Sequence, residues 1–111
     1  MIRMGQHCLL NLYGCNAEIL ENVEFMLTTL KTVANECGAT ILHCAHHKFE
    51  PQGLTAFLLL SESHISVHTY PEQNSAAFDI FTCGQADSKL GVQYILNSIP
   101  SDYHTLIEVG R

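Results

Sequence analysis

The sequence predicts an α+β fold: a two-layer sandwich in which a mainly antiparallel sheet carries two helices on one face. Three observations predict it. Only two stretches place apolar residues at the three-and-four spacing of an amphipathic helix, and a run of strand-like segments separates them. The strand-like segments follow one another closely enough to be joined as hairpins. The chain, at 111 residues, is long enough for one core and too short for two, so residues 1–111 form a single domain. With both helices on one face the other is bare. An apolar uncovered sheet face calls for a partner, so the sheet faces are expected to pair in a dimer.

The elements follow in order. Residues 7–13 form a first strand, ended by Gly14. Asn16 is a good helix N-cap, and Glu18 and Glu21 fall in the first turn, where the helix dipole favours negative charge. Ile19, Val23, Met26, Leu27, Leu30, Ala34 and Cys37 then recur at helical spacing, and Gly38 stands where a left-handed C-cap belongs. That spacing predicts one long helix. Residues 40–49 and 54–60 read as strands on either side of a break at 51–53. Continuing the second strand to Thr69 would make it about three times the usual ~5–6 residues, so a sharp turn is expected at residues 61–63. Residues 70–74 are a turn and residues 76–82 a strand stopped by Gly84. Asp87 or Ser88 caps a second helix through Leu96, with Leu90, Tyr94 and Ile95 inward and Gly91 weakening it. Residues 103–109 are the last strand.

Composition narrows the function. The net charge is −6, and the five Lys and Arg residues are scattered without a basic stripe, which argues against nucleic acid. The N-terminus lacks an apolar run of signal-peptide length, and the longest apolar run, residues 56–60, is far too short to span a bilayer. A cytoplasmic protein that does not engage membranes is expected. Five cysteines, an odd count without a repeated spacing, suggest free thiols in a reducing compartment.

The stretch from Thr55 to Glu72, TAFLLLSESHISVHTYPE, concentrates a carboxylate, hydroxyls and two histidines around two strands. SESHISVHTYPE followed by AAFDIFTCG closely resembles the bacterial-type S-adenosylmethionine decarboxylases, which are pyruvoyl-dependent. GQHCLLNLYGC, the helix ending in ECGAT and HHKFEPQGLTAFLLLSESH are similar to that family too, so the resemblance covers nearly the whole chain.

The resemblance implies an inactive proenzyme that cuts its own backbone between Glu62 and Ser63, giving residues 1–62 and 63–111 as two chains in one fold. The Ser63 remnant becomes a covalent pyruvoyl cofactor. Decarboxylating an α-amino acid leaves a carbanion that needs an electron sink, and no side chain supplies one. The pyruvoyl ketone, in a Schiff base with the substrate amine, would take up those electrons. By resemblance Cys83 is the proton donor, His68 assists processing and Thr55 supplies a hydroxyl near the cleavage intermediate, where the family has serine. Glu72 matches the carboxylate that holds the ribose hydroxyls. Phe49 and Tyr70 match aromatic walls for the adenine, position 70 often being tryptophan in the family. The implied product is the aminopropyl donor for spermidine synthesis.

Strand geometry adds a constraint of its own. Ser63 and His68 are five residues apart, so an extended strand separates their backbones by ~16 Å and points them to opposite faces. His68 therefore serves the Ser63 of a partner. In the expected homodimer, Ser63 and Cys83 of one protomer meet Thr55, His68, Tyr70 and Glu72 of the other.

Each residue alone has a plainer reading: Ser63 as a turn residue, His68 as a half-buried strand histidine, Cys83 as a small core side chain, Glu72 as solvated and Phe49 as core. Their joint occurrence at family spacing favours the functional reading. The cluster HCAHH invites a metal, but in a strand His43 and His47 share one face while Cys44 and His46 share the other, so no metal site is expected. Two alternatives stay open. The same chemistry would serve ornithine or arginine, and a non-catalytic homologue would bind ligand or regulate a partner.

Overall fold

The computed structural model describes residues 3–111. Its elements are β1 Gly5–Tyr13, α1 Ala17–Leu20, α2 Val23–Cys37, β2 Ile41–Lys48, β3 Leu54–Leu60, β4 Ser63–Tyr70, a 3₁₀ turn Pro71–Gln73, β5 Ser75–Cys83, α3 Ser88–Ser98 and β6 Tyr103–Gly110. The six strands make one sheet in the order β2-β3-β4-β5-β1-β6, and every neighbouring pair is antiparallel. Among the described residues, no helix is long and apolar enough to cross a membrane.

Alternation decides which face is which. Ile65, Val67 and Thr69 of β4, Leu54, Ala56, Leu58 and Leu60 of β3, and Cys8, Leu10 and Leu12 of β1 are all buried beneath the helices. Met26, Leu30, Val33 and Ala34 of α2 close the core from above, with Val92 and Ile95 of α3. Burying each of the Val, Leu, Ile and Met side chains among these contributes about 1.5–3 kcal/mol. The intervening strand residues face away from the helices, so α2 and α3 lie on one face, as expected for the two amphipathic stretches.

The single long helix expected from Asn16 to Cys37 is two helices. Asn16 caps α1, its side chain accepting from the Glu18 and Ile19 amides. Asn22 then takes an extended conformation, φ −86° and ψ 98°, and its side chain accepts from the Phe25 amide at 2.9 Å to start α2. A short amide side chain that bonds the backbone competes with the helix and restarts it. Gly38, at φ 81°, ends α2 in the left-handed conformation.

The inward face of α3 agrees with expectation at Ile95, which is buried, and at Tyr94, which packs partly against the core, and differs at Leu90. Leu90 is 52% exposed, and Ser88, Gly91, Val92 and Ile95 are the buried residues. The reason is Gly91. A Cβ there would come within 2.7 Å of Cys37 Sγ and Val33 Cγ1, so the missing side chain is what lets α3 lie against α2. The residue weakens the helix locally and permits the close crossing. Gly91→Val should lower unfolding stability by about 1–3 kcal/mol through overpacking, measured by urea denaturation, whereas the exposed Leu90→Ala should cost less than that.

Candidate active site

The β3–β4 hairpin turns on Ser61 and Glu62 alone, with Leu60 and Ser63 as the last pair of the ladder. Glu62 stands at φ 65°, in the left-handed region that a non-glycine residue occupies at a cost of about 1–3 kcal/mol. Its carbonyl accepts a hydrogen bond from the Cys83 thiol at 3.0 Å. The Ser63 hydroxyl donates to the Ser61 carbonyl at 3.4 Å, and Ser63 is buried on the helix side of the sheet. A strained peptide unit, a thiol on its carbonyl and a neighbouring hydroxyl therefore meet at one edge of the fold. Cys83 is partly exposed, whereas Cys8, Cys15 and Cys37 are buried thiols. Burial pushes all three above the ordinary thiol range, Cys37 to about 11, which makes them poor participants in proton transfer.

The opposite end of the hairpin holds the second group. Thr55 and His68 are direct cross-strand partners, and Thr55 Oγ1 and His68 Nδ1 are 2.8 Å apart. They open onto a cleft of about 400 Å³ that also holds Phe49, Tyr70 and Glu72 above Gly53 and Leu54. The Phe49 ring packs edge-on against His47, centroids 4.6 Å apart. Glu72 lies in the 3₁₀ turn that Pro71 begins.

Between the two ends lies the open face. His64 stacks on Phe57 with centroids 5.9 Å apart and meets His7 edge-on at 6.2 Å, with Phe81 alongside at 5.8 Å. His7 Nε2 is 3.0 Å from Asp79 Oδ1. The Arg111 guanidinium lies 4.7 Å from the Phe81 ring centre. Leu59, Ile107 and Val109 are exposed on the same face.

The structure thus brings Glu62, Ser63 and Cys83 together, and separately Phe49, Thr55, His68, Tyr70 and Glu72. It does not bring the two sets together within one chain: β4 runs unbroken from Ser63 to Tyr70, and Ser63 and His68 point to opposite faces. Sequence reasoning missed the His7–Asp79 pair and the aromatic nest around His64. Those partners lie far apart in the chain, and only strand pairing makes them neighbours. Among the described residues, no group of three or more His, Cys, Asp or Glu is arranged to hold a metal ion, and the strand register keeps Cys44 and His46 on the face opposite His43 and His47.

An all-antiparallel sheet with one helical layer, carrying a strained Glu–Ser turn beneath a thiol, defines the class. The family model of S-adenosylmethionine decarboxylase matches residues 6–111, and the chain belongs to that family. It is 37% identical over 111 residues to the S-adenosylmethionine decarboxylase proenzyme of Geobacillus sp. (strain WCH70), covering all of this chain and 90% of that one. It is 52% identical over 81 residues to the proenzyme of Synechococcus sp. (strain WH7803), covering 73% of this chain. That match spans 63% of the cyanobacterial relative's length. The crystal structure of the adenosylmethionine decarboxylase from Aquifex aeolicus VF5 superposes with a TM-score of 0.91 at 29% identity, over all of this chain and 92% of that one.

Burial holds His64 below the ordinary histidine range, and the charge of His7 adds to it; Arg111 acts the same way and Asp79 opposes. Folded His64 therefore resists a proton that the unfolded chain accepts near pH 6.5. Its contribution to stability is present above that pH and is lost as pH falls toward the depressed folded value. Urea denaturation at about pH 7.5 and about pH 5 should show a larger loss for the wild type than for His64→Gln. Equal losses would remove His64 as the cause.

Proposed function

We propose that the chain is a self-processing, pyruvoyl-dependent decarboxylase of S-adenosylmethionine whose site is shared between two copies. The observation that carries this reading is the Cys83 thiol on the carbonyl of Glu62, a left-handed non-glycine residue directly before Ser63. A thiol donor polarises that carbonyl toward attack, and breaking the bond releases the strain of the turn.

The Ser63 hydroxyl attacks the Glu62 carbonyl carbon, the Glu62–Ser63 C–N bond breaks, and the acyl group passes to oxygen as an ester. Removal of the Ser63 Cα proton then expels the Glu62 carboxylate. Water enters and ammonia leaves, so the serine remnant ends as a ketone. Glu62, Ser63 and Cys83 fit the formation of such a group: the hydroxyl belongs to the residue whose nitrogen the Glu62 carbonyl acylates, so a side-chain rotation from the Ser61 carbonyl brings it to the attack position, and the thiol already donates to that carbonyl. The pyruvoyl ketone supplies the electron sink that loss of CO₂ from an amino acid requires.

The remaining roles belong to the chain's own side chains. In the tautomer whose Nδ1–H donates to Thr55 Oγ1, His68 keeps a free lone pair on Nε2, which suits it to take the Cα proton during processing. Cys83 returns a proton to the product carbon. In the cleft, Glu72 accepts from the ribose hydroxyls, and Phe49 and Tyr70 stack on the adenine, their faces also suiting the sulfonium cation. The product is the aminopropyl donor for spermidine synthesis. Free thiols at all five cysteines fit a reducing compartment, the cytoplasm.

A homodimer of cleaved protomers, two large and two small chains, is the partner arrangement that supplies His68 to Ser63. Phe57, Leu59, Ile107 and Val109, exposed on the open face, support face-to-face pairing. No nucleic acid or membrane enters this reading.

Mass spectrometry of fresh protein should find two chains divided before residue 63, the C-terminal one lacking a free amine and reducible by borohydride. Ser63→Ala should stay whole and release no CO₂ from S-adenosylmethionine. Cys83→Ala should still cut itself, more slowly, while kcat falls about 100-fold or more. A whole wild-type chain without a carbonyl, or normal turnover by Cys83→Ala, would overturn the corresponding part of the mechanism.

A further inference from the structure

The loop between β2 and β3 carries Phe49, Gln52 and Gly53 into the cleft, and one carboxylate outside the cleft holds it. We propose that Glu21 is a positioning residue for substrate: its carboxylate clamps the 49–53 loop and so sets where the aromatic wall and the cleft floor stand. The proposal rests on the substrate reading above and adds a residue to it.

Glu21 is fixed at its own end because it caps α1, at φ −90° and ψ −8°, in the break before Asn22 restarts the helix. Its two oxygens then do different things. Oε1 accepts from the Gly53 backbone amide, and Oε2 accepts from Lys48 Nζ at 2.8 Å. The same ammonium also donates to the Phe49 carbonyl at 3.3 Å. The Phe49 amide donates to the Gly53 carbonyl at 2.8 Å, which closes the loop across its base. Both entry and exit of the loop are therefore tied to one side chain of the helix layer. The Glu21 and Lys48 side chains are about two-thirds shielded, at 31% and 32% exposure, and charge-assisted bonds of this kind are short and directional. The two bonds hold the Glu21 carboxyl below the usual carboxylate range, Lys48 contributing more than Gly53.

Gly53 explains why the clamp reaches the cleft. It sits at φ 94°, and a Cβ there would approach the Thr69 carbonyl to 3.2 Å. The loop's exit thus lies directly on the β4 backbone between His68 and Tyr70. Glu50, Pro51 and Gln52 are exposed, so little else restrains the tip. Surface loops open locally at low cost, and a displacement of about 1 Å in a substrate-positioning group is enough to move affinity.

The test separates positioning from mere stability by kinetics. Glu21→Ala should raise the KM for S-adenosylmethionine about tenfold while kcat and the extent of self-cutting stay unchanged, and amide hydrogen exchange at Phe49 and Gly53 should speed up. Lys48→Met should give the same split at smaller size, and it decides the matter if Glu21→Ala does not fold. An active wild type whose KM is unmoved by either change, or kcat and cutting that fall together with affinity, overturns the clamp alone. A wild type that neither cuts itself nor decarboxylates S-adenosylmethionine overturns the functional reading and the clamp with it.

Discussion

The register of the β3–β4 hairpin is the constraint on which the rest of this molecule depends. Leu58 pairs with Ile65 and Ala56 with Val67, all buried under the helices. A slip of one residue would turn that apolar set outward, so the core fixes the pairing strongly. Everything functional follows from parity. With Ile65 and Val67 inward, His64, Ser66, His68 and Tyr70 must face the open side, and Thr55 must come opposite His68. With Leu60 paired to Ser63, only Ser61 and Glu62 remain to turn the chain, and Glu62 is forced to positive φ. The strain at the Glu62–Ser63 unit is thus supported by core packing farther along both strands, which is how a local cost of this kind persists.

That same register divides the chemistry. A straight strand cannot present its first and sixth residues to one point, so the hydroxyl–thiol end and the histidine end remain apart on each chain. The open face between them carries exposed apolar residues together with the half-buried pair His7–Asp79 and the His64 nest. A second copy laid on that face with its hairpin reversed would bring its histidine end to the open side of the Glu62–Ser63 turn, where Cys83 stands and from which the Ser63 Cα, not its hydroxyl, is approached. Self-cutting and turnover would then both depend on association, and unassembled chains would hold the strained bond without the base that completes its conversion. The helix layer contributes separately. Through Glu21 it reaches over the edge of the sheet to the cleft loop, so the cleft walls answer to the α1–α2 junction as well as to the strands.

The strands were legible because alternation is a local signal. The segments read as 54–60 and 103–109 agree with β3 and β6 to within a residue at each end, and the turn at residues 61–63 is where the hairpin bends. The break between α1 and α2 was not legible, since Ile19, Val23, Met26 and Leu30 keep helical spacing straight through it; the one cue was Asn22, a poor interior residue with a side chain suited to capping. The exact phase of α3 at Leu90 was not legible, because Gly91 reads as a helix weakness in the sequence, whereas its role is a close approach to Cys37 and Val33 that only the packed structure reveals. In the site, Ser63, Cys83, Thr55, His68 and Glu72 stood out through their order and spacing, and the structure gathers them at the two ends of one hairpin. The Glu21–Lys48–Gly53 clamp left no trace in the sequence. Its members are joined across 27 and 32 residues by two hydrogen bonds; Glu21 and Lys48 each look like ordinary charged surface residues and Gly53 like a turn glycine.

The proposed sharing of the site between two copies is tested most directly by complementation. Ser63→Ala and His68→Ala chains, each inactive alone, should on co-expression regain about a quarter of wild-type decarboxylase activity, because half the dimers are mixed and one of their two sites is intact. Mixed dimers isolated by two affinity tags should contain one cut and one uncut chain. Isolated mixed dimers without activity or cutting would contradict the account, as would full self-cutting by His68→Ala on its own.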